Sequence, residues 1–75
     1  MTTKIYCDIM NRIQKLAKEN GEADLNVLVT IKLLNGDKFQ AERGEIILRD
    51  GYIEALTNND SFIFVPIENI VSINV

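Results

Sequence analysis

Few side chains in this 75-residue chain carry obvious chemistry. Arg49, Tyr52 and Glu54 fall in one short stretch as a cation, an aromatic ring and a carboxylate. A ring beside a cation can stack a base and hold its phosphate, so Tyr52 beside Arg49 is the candidate nucleic-acid pair. Lys15 and Lys18 form a second cluster with Lys4 and Asn11 on one side of an N-terminal helical segment. That side reads first as a solvated face, with an anion site for phosphate as the alternative. Asp50 and Glu54 would need to be brought together for acid–base or metal chemistry; the alternative is turn-capping by Asp50. The chain has no histidine and a single cysteine. Cys7 therefore lacks the usual activating partner and reads as a small core residue. Gly36, Gly44 and Gly51 are spaced as turns, and none opens a helix to cradle phosphate. Asn59-Asp60-Ser61 matches a glycosylation acceptor but reads as a turn in the absence of a secretory leader. No enzyme activity, metal site or cofactor is expected.

The elements that position these groups must fit one small domain, residues 1–75. At this size about 60% of the unfolded surface can be buried, so the core alone is thin. With one cysteine there is no disulfide, and self-association is the expected supplement. A composition of 47% hydrophobic and 25% charged residues is that of a folded globular chain. The net charge of −3 divides unevenly, as +2 over residues 1–21 and −5 over residues 22–75. That balance disfavours indiscriminate binding to nucleic acid while leaving a local basic face. No stretch reads as a signal peptide or is long enough to span a membrane. A cytoplasmic protein with no membrane partner is the expectation.

Residues 4–20 lack Gly and Pro, follow the capping residues Thr2 and Thr3, and precede Gly21. The pattern predicts a helix over about 4–20. Its apolar side gathers Ile5, Ile9, Ile13 and Leu16, extended by Tyr6, Met10 and Ala17. Glu22–Asp24 reads as a link, and a strand-rich region follows from about Leu25 to the end. Val27, Val29, Ile31 and Leu33 alternate with other residues, and Asn35-Gly36 marks a hairpin. Lys38–Arg43 forms the return strand, with Phe39 and Ala41 on one side. Gly44 interrupts it as a bend, beyond which Glu45–Arg49 continues. Asp50-Gly51 turns the chain into Tyr52–Thr57, and Asn58–Asp60 turns it again into Ser61–Val65. Phe39, Phe62 and Phe64 look like core residues. Phe62–Val65 is apolar on both faces, so the strand needs cover twice. Pro66 stops it, 67–69 makes a tight turn, and Ile70–Val75 is the last strand.

Taken together, these residues resemble the Sm/LSm-like family, in which a basic helix precedes a five-stranded, strongly bent, SH3-like antiparallel barrel. Leu33, Leu34 and Gly36 match the first part of the family's first motif, and Gly44, Ile46, Asp50 and Ile53 match the second. Glu54 stands where the family usually has Asn, and the stretch between Gly36 and Gly44 is longer than the family spacing. The strand pattern from Phe64 to Ile73 fits the second motif, but its Arg-Gly pair is replaced by other residues. The departures fall on positions with which the family holds uridine-rich RNA.

The resemblance implies a homo-oligomeric ring, with Phe62 and Phe64 of one subunit against Val71 and Ile73 of the next. It places Tyr52 and Glu54 near the base-binding loop, faced by Pro66–Asn69. A ring-forming protein that binds single-stranded RNA is the leading expectation, with Arg49, Lys15 and Lys18 as further contacts. The alternatives are an assembly module without nucleic acid, and sequestration of a small nucleotide-like ligand between subunits.

Overall fold

The computed structural model describes residues 1–19, 21 and 26–75. The expected link at Glu22–Asp24, the start of the strand region at Leu25 and the helix's last residue, Asn20, fall outside them. Helix α1 spans Thr3–Glu19. Thr2 caps it, its Oγ1 accepting the Ile5 N–H at 3.2 Å, which satisfies one of the amides left over in a first turn. At the other end Gly21 takes φ +74°, and its N–H donates to the Lys18 carbonyl at 3.1 Å. Glycine is suited to that left-handed position because it has no Cβ to clash.

Six strands follow: β1 (Leu28–Leu33), β2 (Lys38–Glu42), β3 (Ile46–Leu48), β4 (Tyr52–Leu56), β5 (Phe62–Pro66) and β6 (Ile70–Asn74). They form two three-stranded antiparallel sheets, ordered β2-β1-β6 and β3-β4-β5. This corrects the expectation of one closed five-stranded barrel. The bend expected at Gly44 becomes a full 3₁₀ turn, Arg43–Glu45, which divides the long strand into β2 and β3. β2 then pairs with β1 and β3 with β4, while β5 and β6 do not pair with each other. A second 3₁₀ turn, Ile67–Asn69, joins β5 to β6.

Hairpin geometry sets the registers. Across the first loop, Leu33 N–H donates to the Asp37 carbonyl at 2.8 Å and Gly36 N–H to the Leu33 carbonyl at 3.0 Å, with Gly36 at φ +90°. The loop is thus a three-residue one closed by a left-handed glycine, a common alternative to the two-residue turn. The loop after β4 repeats the pattern, with Thr57 N–H donating to Ser61 and Asp60 N–H to Thr57. Here Asp60 takes the positive angle, φ 62°, which a short polar side chain tolerates better than most.

One core serves both sheets and the helix. Val29, Ile31 and Ala41 meet Ile46, Ile53, Ala55 and Val65, closed over by Tyr6, Met10 and Ile13. Each fully buried isoleucine or valine contributes about 1.5–3 kcal/mol relative to exposure. The helix sits rotated from its expected orientation. Its buried stripe is Tyr6, Met10, Ile13 and Ala17, whereas Ile5 and Leu16 are exposed. The apolar residues span a wider arc than the buried stripe, and Ile5 and Leu16 fall outside it.

Candidate functional site

Alternation along β4 turns Ile53 and Ala55 inward and Tyr52, Glu54 and Leu56 to the other side. The pairing Tyr52 with Pro66, Glu54 with Phe64 and Leu56 with Phe62 carries that assignment across to β5. Phe62 and Phe64 therefore share the face of a charged residue and are 69% and 65% exposed. This corrects their reading as core: Ile63 and Val65 are the residues of β5 that pack inward. The Tyr52 and Phe64 rings lie 6.5 Å apart, tilted at 54°, within the range in which aromatic pairs attract.

Arg49 reaches this face from the end of β3. Its Nε lies 3.4 Å from Glu54 Oε1, and its Nη2 donates to Oε2 at 3.4 Å. The guanidinium forks onto the carboxylate, so the cation of the stretch is matched by an anion of its own chain. An ion pair this exposed contributes about 0.2–1 kcal/mol and is readily exchanged.

The turns at the edge of this face also meet. Ile67 N–H donates to the Gly51 carbonyl at 3.0 Å, and Leu34 N–H to the Asn69 carbonyl at 2.9 Å. The loop after β1, the Asp50-Gly51 turn and the turn 67–69 consequently lie side by side. Pro66 is directly across from Tyr52 in the ladder.

Lys15 and Lys18 are exposed on α1. They form no hydrogen bond or ion pair with Tyr52, Glu54 or Arg49, so the two halves of the expected RNA site stay on separate elements. Val71 is half exposed at the start of β6 and Ile73 is partly buried against the core. Asp50 and Glu54 do not join a third ligand: among the described residues no three His, Cys, Asp or Glu side chains converge as a metal site would need. Cys7 is partly buried and forms no disulfide.

Arg43, which the sequence places at the end of a strand, has a further role. Arg43 sits partly buried in the turn between β2 and β3, where its Nε donates to the Met10 carbonyl at 3.3 Å and its Nη2 to Gln14 Oε1 at 3.2 Å. It ties the helix to the bend. Its charge also opposes the shift at Tyr6, whose hydroxyl burial pushes up to about 12. The sequence signal was an arginine placed next to the glycine of a predicted bend.

The fold and this face define a helix-covered antiparallel β protein with an apolar outer surface on one sheet. No protein-family model, curated protein or solved structure matches the chain.

Proposed function

We propose that this chain is a self-assembling module of Sm-like type, in which β5 of one copy pairs with β6 of the next. One observation carries the reading. β5 and β6 each have a neighbour on one side only, and the open edges bear exposed apolar side chains, Phe62 and Phe64 on one and Val71 on the other. An open edge with apolar neighbours is an aggregation hazard unless something pairs with it. Two different edges meeting head to tail close into a ring when the rotation allows. Association through them also supplies the burial that so short a chain lacks.

Native mass spectrometry of the purified protein tests this. A discrete multimer is expected, and Phe64→Asp should yield a folded monomer, since the side chain lies outside the core. A monomeric parent protein, or a variant of unchanged mass, overturns the reading.

Single-stranded RNA binding is the second reading, favoured by the exposed Tyr52 ring beside Phe64 and the adjoining turns 50–51 and 67–69. In this reading the Arg49–Glu54 pair opens for phosphate, and Lys15 and Lys18 add contacts outside the aromatic face. Binding would then weaken steeply with salt, and Lys15→Glu with Lys18→Glu would lower the affinity and flatten the salt slope. Fluorescence anisotropy with a uridine-rich strand measures both; no binding at low salt leaves assembly as the function.

A further inference from the structure

A cleft of about 430 Å³ lies between α1 and β3, lined by Tyr6 and Met10 of the helix, Arg43 of the turn, and Ile46, Ile47 and Leu48 of the strand. Successive side chains of a strand point to opposite faces. A cleft that touches three consecutive residues therefore runs along the strand's edge. β3 is the end strand of its sheet, paired only with β4. Arg49 N–H donates to the Tyr52 carbonyl, so by alternation Ile47 also faces β4, and Ile46 and Leu48 turn their peptide groups the other way. The Ile46 N–H is taken by the Arg43 carbonyl. The Leu48 N–H and the Ile46 and Leu48 carbonyls remain at the open edge.

The same cleft holds an unbalanced charge. Among the described residues, two of the five N–H donors of Arg43 are used, both by neutral oxygens. Among the described residues the one ion pair is Arg49–Glu54, so no carboxylate answers Arg43. A partly buried cation in an apolar cleft favours an anion, because burial strengthens the attraction.

We propose that this cleft binds an extended peptide segment of a partner protein, which adds as a strand to the free edge of β3 and places one carboxylate side chain on Arg43. Backbone groups at Ile46 and Leu48 supply strand pairing, the apolar walls receive alternate side chains, and Arg43 selects the acidic residue. The site is separate from the β5 and β6 edges and does not depend on assembly through them.

The test is an NMR titration of isotope-labelled protein with an acetylated and amidated pentapeptide, a central glutamate flanked by alternating valine and isoleucine. The Leu48 amide and the Arg43 Nε–H should shift, and the Leu48 amide should become protected from exchange. Replacing the glutamate by glutamine should weaken binding about tenfold or more, the order expected for losing a charge-assisted hydrogen bond. Arg43→Gln should remove the same discrimination. Because Arg43 also holds the helix, the peptide comparison on the unaltered protein stands without the variant. Phe64→Asp should leave the affinity unchanged. Equal binding of the two peptides, shifts centred on Phe62–Phe64 instead, or displacement of the peptide by an equally tight decanoate would each overturn the proposal.

Discussion

The two sheets share one core and differ on their outer faces. On β2-β1-β6 the outward positions include Thr30, Lys32, Lys38, Gln40, Ser72 and Asn74. Thr30 and Gln40 are hydrogen-bonded to each other at 3.1 Å, and Asn58 bonds both the backbone and the side chain of Gln40. On β3-β4-β5 the corresponding positions hold Ile47, Tyr52, Leu56, Phe62 and Phe64 around a single ion pair. The first face is polar and bonded within itself. The second exposes apolar side chains together, and contiguous apolar patches are uncommon on monomers.

The comparison can be broken first at the core. Ile31 in one sheet and Ile53 in the other are both fully buried. Ile31→Ala and Ile53→Ala should each cost about 2–5 kcal/mol in urea unfolding. Similar losses are expected because the sheets close on the same interior. A large loss from one with little from the other would mean that the sheets unfold separately.

The next effect concerns the helix that covers that interior. Burial raises the Tyr6 pKa from 10.0 to about 12, against the opposing pull of Arg43. The folded state therefore holds the phenolic proton more tightly than the unfolded chain does. That stabilisation is complete below pH 10 and is lost as pH climbs towards 12. Tyr6→Phe should flatten the alkaline loss of stability across this window by up to about 2 kcal/mol, as measured by denaturation at successive pH values. A pH profile unchanged by Tyr6→Phe would show that the ring is less dry than its packing implies.

The smallest effect lies on the polar sheet. Lys32 and Lys38 are direct cross-strand partners, and like charges so placed repel. Lys38→Glu should gain about 0.5 kcal/mol, an increment that shrinks in high salt. No gain at low salt would indicate that the lysines already splay apart into solvent.

Much of the architecture was legible because local chemistry and tertiary packing agree. Thr2, Gly21, Gly36 and Gly51 punctuate the chain where the sequence places its ends and turns. The alternation in β1 identifies Val29 and Ile31 as inward. The failures have identifiable causes. Phe62–Val65 is apolar on both faces, so periodicity cannot choose between them. The face is decided by pairing Phe64 with Glu54, a register set by the loop at Asn58–Asp60. The apolar arc of α1 was wider than its buried stripe, so the buried edge could not be assigned from the helix alone. The nearness of Arg49 and Tyr52 in the chain was readable from spacing, but the Arg49–Glu54 ion pair was not, because it depends on strand twist and side-chain reach.

The turn at Arg43–Glu45 also orders events in time. Everything beyond it to Pro66 is an uninterrupted meander, whose pairings all lie within residues 46–66. The other sheet must bring Asn74 back to Thr30 across the whole of that meander. Closing a long loop costs more chain entropy than closing a short one, and non-local pairing slows folding. The meander is thus placed to form early and β6 to dock last. A nascent chain would expose the apolar face of β5 before its own last strand had settled.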